Sequence, residues 1–365
     1  MITSAPAKVQ IAVVGGGPAG AAVAIELARG GADVLLAERR SFPRPKVCGG
    51  CLGPRAMACL EYLGLDARRL DGAAPVERVR VAASGSTATL PVPAGVAVDR
   101  AALDHALLDL AATCGVDVRT NTRAELGDLV DGRRGVLLND GVSSRVEARV
   151  VLRATGLPPA APGATDARVG LGSTRHSAAG PATSTVWMAT GAAGYVGMAR
   201  FGDGRLNVAA SVRAAALSGR EPGDVIDQIL GEAGIDPLGW RDGWTGTRPL
   251  RASGLQQVEE RVLPVGDAAG FWEPFTGEGI GWSLEGGIVI APAAVRFAAE
   301  WDPIAVERWA RDQQRWIRGL QSRSRAVAAI TERPRAARLA LGILRRVPAA
   351  GHWLIPDSLP ALGRA

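Results

Sequence analysis

The chain has 365 residues, of which 47% are hydrophobic and 21% charged, with 47 glycines and a formal charge of +6. That balance excludes a disordered or fibrous protein and leaves enough chain for joined lobes around a large buried cofactor. The positive charge is almost all arginine, Lys8 and Lys46 being the only lysines, and no basic block is interleaved with aromatics, which argues against nucleic acid as a partner.

Val9 to Val14 is a short apolar run ending in GGGPAG, followed by helically spaced AAVAIELARGG and by a second apolar run, DVLLAERR. This order predicts strand, glycine turn, helix, strand. Gly15, Gly17 and Gly20 make a G-x-G-x-x-G, with Pro18 and Ala19 between them, where missing side chains let a pyrophosphate approach a helix N-terminus. Glu38 closes the next strand eighteen residues after Gly20, placed to accept hydrogen bonds from the ribose hydroxyls of an adenosine. Together they predict a bound dinucleotide.

A proline- and glycine-rich connection, Ser41 to Pro54, holds Cys48 and Cys51. A zinc site lacks the second half of its ligand set, since Cys59, Cys114 and the three histidines are scattered. Two readings remain open: a redox-active dithiol, and a loop bordering a cofactor, with Gly49 and Gly50 allowing close backbone approach. A helix over RAMACLEYLGL, strands near Val76 to Pro91, and a helix over Asp99 to Gly115 follow. Short strands then lead to RVVLRATG, and Pro158 to Leu250 reads as antiparallel strands of a second lobe.

The first style returns at RVLPVGDAAG, an apolar strand ending in Gly266 and Asp267, followed by a glycine-rich helix start and a helix over Ile280 to Ala299. Asp267 is placed to bind ribityl hydroxyls, and the free N–H groups near Gly279 and Ile280 to stabilise the negative charge of a reduced flavin. NAD needs no such second site, so the cofactor expected is FAD. Beyond Asp302 the chain is helical and arginine-rich, with Trp301, Trp309 and Trp316 on one face. No uncharged stretch reaches the roughly 20 residues needed to cross a bilayer. Four cysteines and no secretory leader suggest a reducing cytoplasm.

The expected fold class is α/β. A Rossmann FAD-binding lobe takes residues 8–75, 99–157 and 251–300, a β-sheet substrate lobe residues 76–98 and 158–250, and a helical segment residues 301–365.

VVGGGPAG, FPRPKVCGG, VDRAALDHALL and VGDAAGFWEPFTGEG occur in the order found in the geranylgeranyl reductase family, and the chain resembles that family from Val9 to Ala299. The resemblance implies a hydroxylase-type flavoprotein with a glutathione-reductase-like FAD fold. It places Ala19 and Glu38 along the adenosine half, Ala124 near the adenine, and Arg44, Gly49 and Arg100 toward the phosphates and flavin, with Arg39, Cys48 and Gly156 as further cofactor contacts. Asp267, Gly277, Gly279 and Ile280 fall at the ribityl and pyrimidine end. Thr155 stands where relatives carry aspartate, Gly197 where they carry tryptophan, and Arg200 where they carry proline.

The activity implied is saturation of C=C bonds in an isoprenoid or other lipid-like substrate by hydride from reduced flavin, with Cys48 and Glu278 as candidate catalytic residues. NADPH or a ferredoxin is the expected reductant, and the arginine-rich end from Arg318 to Arg346 offers peripheral contact with anionic lipid. The alternatives are a monooxygenase or oxidase acting on an aromatic or polyketide metabolite, a flavin-dithiol disulfide oxidoreductase, and an electron carrier without a deep apolar cavity. A halogenase is disfavoured because no WxWxIP stretch is present.

Overall fold

A computed structural model describes residues 6–157, 168–250, 258–271, 275–331 and 333–347. Residues 272–274 of the VGDAAGFWEPFTGEG stretch, parts of both expected lobe boundaries (158–167, 251–257) and residues 348–365 lie outside the described residues.

The N-terminal run forms β1 (Ala7–Val14), α1 (Pro18–Arg29) and β2 (Val34–Ala37). All four residues of β2 are buried, as expected for a parallel strand covered on both faces. β1 pairs in parallel with β2 on one side and with β9 (Ser143–Arg153) on the other. β6 (Asp117–Arg119) extends the sheet beyond β2, and β15 (Val262–Pro264) lies parallel to β9. β7 (Arg123–Val130) and β8 (Arg133–Asn139) complete a seven-stranded sheet as an antiparallel meander.

α2 (Pro54–Tyr62), α3 (Arg100–Thr113) and α5 (Gly279–Ala299) join α1 against this sheet, enclosing Ile11, Val13, Leu36, Leu103, Leu107 and Leu284 in the largest core cluster. α3 starts where the sequence predicts, because the Asp99 carboxylate accepts the Ala101 N–H at 2.9 Å. α1 and α5 touch almost backbone to backbone: a Cβ on Gly287 would lie 2.5 Å from Ala19 O.

The second sheet has eight strands in the order β14-β10-β13-β12-β11-β4-β5-β3. Its members are β3 (Cys51–Leu52), β4 (Ala74–Ala83), β5 (Ser86–Ala97), β10 (Arg168–His176), β11 (Ser184–Gly191), β12 (Gly194–Arg200), β13 (Arg205–Arg213) and β14 (Thr245–Leu250). β3 is a strand inside the connection read from sequence as irregular; it forms because Cys51 and Leu52 meet Ala97 and Val96 at the end of β5.

Strand alternation divides the second sheet's two faces. Val196, Val208 and Val212 pack under α4 (Pro222–Ala233) with Val225, Ile226 and Ile229. The opposite face, carrying Tyr195, Gly197, Ala209 and Ser211, turns to an open interior.

After α5, the tryptophans of the arginine-rich region pack inward. Trp301, just before α6 (Pro303–Thr331), and Trp309 both meet Phe297 edge-on, at 5.9 and 6.0 Å between ring centroids. Proline starts α7 (Pro334–Arg346), which splits the expected helical region in two. Ala337, Leu341 and Leu344 of α7 close over Ala83, Ala88 and Leu90 of β4 and β5.

Candidate active site

The glycine turn is shaped by contacts no other residue tolerates. Gly15 has φ +112°, and a Cβ there would meet Ala154 O at 2.3 Å; a Cβ on Gly20 would lie 1.9 Å from Gly15 O. Gly17 differs. It is the N-cap of α1 with Pro18 as the first helical residue, and a Cβ built on it meets nothing within 4 Å. The helix N-terminus therefore faces free space bordered by backbone, a geometry suited to phosphate.

Glu38 is 7% exposed, and its carboxylate accepts Gly16 N–H at 2.9 Å and Arg40 N–H at 3.0 Å. Each oxygen retains a lone pair for a ribose hydroxyl. The Glu38 carbonyl accepts the Thr122 N–H at 2.8 Å, which brings the start of β7, and so Ala124, to the same end of the sheet. Arg39 is exposed at the end of β2. Gly156, at φ +74°, lies just past β9.

Toward the other end, fully buried Asp104 takes Arg100 in a two-pronged ion pair, both bonds 2.9 Å, with Arg44 at 3.7 Å. Arg100 is buried too. Burial opposes its charge, but Asp104 outweighs that, with Cys48 as a second partner, and the guanidinium stays protonated.

Pro18, Cys48, Gly49, Arg100, Asp267, Gly277, Gly279 and Ile280 come together on the wall of one cavity of about 540 Å³. Glu278 is not among the residues that line it. Its carboxylate turns instead to Arg55, at 3.7 Å, and to Thr276, and Arg55 in turn pairs with Glu285. Burial raises the Glu278 carboxyl pKa above the ordinary range, and Arg55 partly offsets this.

Sequence reasoning missed two residues here. Lys46 lines the cavity and is exposed there, and the protein around it lowers its pKa by desolvation. Arg100 adds to that lowering, while Asp267 and Asp104 oppose it. The Asp267 carboxyl is raised by the same enclosure, against the pull of Lys46 and Arg100. The available signal was that one of only two lysines sits within FPRPKVCGG.

The second is Asn207, buried on β13. Its Nδ2 donates to Cys48 O at 3.0 Å and Gly49 O at 2.9 Å, and its Oδ1 accepts from Thr174 Oγ1 at 2.9 Å. With Val98 N–H donating to Gly50 O at 2.8 Å, the cysteine loop is fixed to the second sheet. Because trans peptides are planar, the N–H groups of Gly49 and Gly50 point away from Asn207. All four cysteines are free thiols, and burial followed by the proximity of Cys48 pushes Cys51 up to about 12.

The residues present fit FAD. An open helix N-terminus and a carboxylate with spare lone pairs lie at one end, and an enclosed aspartate beside the start of α5 at the other. The FAD binding domain family matches residues 8–160. The chain is an FAD-dependent oxidoreductase, homologous to reductases of the geranylgeranyl reductase family. It is 28% identical to the menaquinone reductase of Mycolicibacterium smegmatis over 83% of this chain and 82% of the relative. The same identity holds for digeranylgeranylglycerophospholipid reductase 2 of Methanopyrus kandleri, over 84% of this chain and 81% of the relative.

In fold, this oxidoreductase is similar to the flavin-dependent brominase Bmp2, with TM-score 0.75 at 19% identity over 95% of this chain and 92% of that one. It is also similar to a flavoprotein/dehydrogenase of Cytophaga hutchinsonii, with TM-score 0.71 at 19% identity over 93% and 92%. Among the described residues, no helix is long and apolar enough to cross a membrane.

Proposed function

We propose that this oxidoreductase reduces C=C bonds of an isoprenoid or other lipid-like substrate. The observation that carries the reading is the cavity. One end holds Lys46, Cys48, Arg100 and Asp267, and most of the remainder is apolar, running past Val79, Val81 and Leu90 to Leu341 and Leu344 of α7. An extended hydrocarbon fits such a lining, because apolar surface leaves water there without stranding polar groups. The names of the relatives, reductases of menaquinone and of a digeranylgeranyl lipid, agree with it.

Gly15, Gly17, Pro18, Ala19, Gly20, Glu38, Arg39 and Ala124 would hold the adenosine diphosphate half of FAD. Arg44, Cys48, Gly49, Arg100, Gly156, Asp267, Gly277, Gly279 and Ile280 would hold the remainder, so the seven-stranded sheet serves the cofactor and the eight-stranded sheet the substrate. When bound and reduced, FAD supplies hydride for one alkene carbon. The N-terminus of α5, with Lys46 and Arg100, makes that end electropositive, and the apolar walls exclude water. Of the two candidate acids, Cys48 borders the cavity and is the better placed to hold a proton at Sγ for the second carbon. The raised Cys51 thiol is a poor nucleophile, which speaks against dithiol exchange.

NADPH or a ferredoxin supplies the electrons in this reading. The substrate arrives from lipid on which α7 rests through Leu339, Ile343 and Val347, all more than half exposed, flanked by Arg338, Arg345 and Arg346. The test is anaerobic reoxidation of the reduced holoenzyme by polyprenyl compounds such as geranylgeraniol, followed through the flavin absorbance. Reoxidation with formation of the saturated product is expected, and failure with every polyprenyl compound refutes the reading. Asp267→Ala should lower FAD occupancy; unchanged occupancy refutes the assignment of that end.

A further inference from the structure

The connection from Ser41 to Pro54 delivers a lysine to the place where the two sheets meet. Val47 lies directly on β10, for a Cβ on Gly172 would meet its Cγ1 at 3.2 Å. The next two carbonyls, of Cys48 and Gly49, are held by Asn207 of β13. Lys46 comes one residue before this anchor. Its backbone is thereby fixed to the second sheet, while its side chain shares a cavity wall, and interacts electrostatically, with Asp267 and Arg100 of the cofactor lobe.

Among the described residues that line the cavity, Lys46, Arg100 and Asp267 are the charged ones. They differ in their capacity to release a proton. Arg100 is locked to Asp104 by two bonds of 2.9 Å and keeps its charge, and Asp267 serves the ribityl end in the reading above. Lys46 is exposed in the cavity. Desolvation opposes its charge most, followed by Arg100 with a smaller push from Arg44, and Asp267 and Asp104 do not fully compensate. The ammonium is therefore a stronger acid than a lysine in water. Charge also favours it over the neutral donors on the same wall. Cys48 or Tyr195 leaves an anion in largely apolar surroundings when it gives up a proton, whereas an ammonium leaves a neutral amine. Loss of hydride neutralises a reduced flavin anion, so with lysine as the acid both charges vanish together.

We propose that Lys46 is the catalytic acid, its Nζ giving a proton to one alkene carbon while hydride reaches the other. The inference rests on the C=C reduction proposed above and names its proton source, for which the sequence offers Cys48 and Glu278. The π bond is spent, a C–H bond forms on each carbon, one Nζ–H bond breaks, and the two electrons come from reduced FAD. Lys46 is left as a neutral amine, and water at its exposed side chain returns the proton.

The test compares wild type with Lys46→Arg, which keeps the charge and holds its protons, and Lys46→Ala, which keeps neither. Photoreduced holoenzyme is reoxidised anaerobically by geranylgeraniol and by 2-cyclohexenone, an activated alkene without a lipid tail, and FAD content and the midpoint potential of the bound flavin are measured on the same samples. Lys46→Arg should keep FAD content and potential near wild type, yet be reoxidised about a hundredfold more slowly by either alkene. It should also lack the alkaline limb that deprotonation of Lys46 gives the wild-type rate. Lys46→Ala should lose the rate, lower the potential and regain rate with methylammonium but not with guanidinium, which brings charge without a transferable proton. Wild-type rates in Lys46→Arg would mean that Lys46 supplies charge alone, and would overturn the assignment with the alkene reading intact. An equal response of Lys46→Ala to the two ions also overturns it, and decides the question if Lys46→Arg does not take up FAD. If wild type reduces 2-cyclohexenone but not geranylgeraniol, with the same sensitivity to Lys46→Arg, the prenyl reading falls and the acid stands; if it reduces neither, both fall.

Discussion

Asn207→Asp is the sharpest perturbation of the cysteine loop, because it keeps shape and volume while turning a donor into an acceptor. The wild-type amide donates at 3.0 and 2.9 Å to the carbonyls of Cys48 and Gly49; the carboxylate donates nothing and sets an anionic oxygen against them. Two lost hydrogen bonds at about 1 kcal/mol each, with up to about 2 kcal/mol for leaving buried carbonyls unpaired, give about 2–4 kcal/mol. If the loop opens locally, its open population rises about 30- to 1000-fold. The assay is hydrogen exchange at the Val98 amide, which donates to Gly50 O at 2.8 Å and so reports loop closure. Protection there should fall by that factor while β1 and β9 keep theirs, and turnover should drop with it. Wild-type protection at Val98 in the variant would refute the claim that Asn207 holds the loop.

Two glycines of the same turn should separate folding from cofactor binding. Gly17→Ala should give a folded apoprotein that binds FAD more than tenfold more weakly in a flavin fluorescence titration, since its Cβ enters open space; Gly20→Ala, with a Cβ 1.9 Å from Gly15 O, should not fold, as judged by circular dichroism. Cys51→Ser should retain most of the turnover of photoreduced flavin, and complete loss would revive the dithiol. Glu278→Gln should melt at or above wild type at pH 7. The folded-state pKa of Glu278 is raised by burial, so the stability this group confers is fully present below its unfolded value near 4.5 and is lost as pH rises through the folded value. The difference in Tm should shrink at pH 4, and a variant less stable only at pH 7 would contradict that sign.

The cofactor half was legible because its constraints are local. Gly15, Gly17 and Gly20 fall within one short stretch where β1 passes into α1, Glu38 follows the next strand, and a parallel strand buried on both faces reads as an unbroken apolar run. Composition and motif order were enough to expect FAD and two sheets. What tertiary structure decided was which side chains share the cavity. Cys48 meets Asn207 across 159 positions of sequence, Lys46 faces Asp267, and Gly197 pairs with Ala209 on the next strand. Glu278 shows the converse: beside Gly279 in sequence, it is turned by Arg55 away from the cavity that Gly279 lines. A motif specifies backbone conformation over a few residues, whereas the contents of a cavity depend on the register and packing of strands that sequence spacing does not encode.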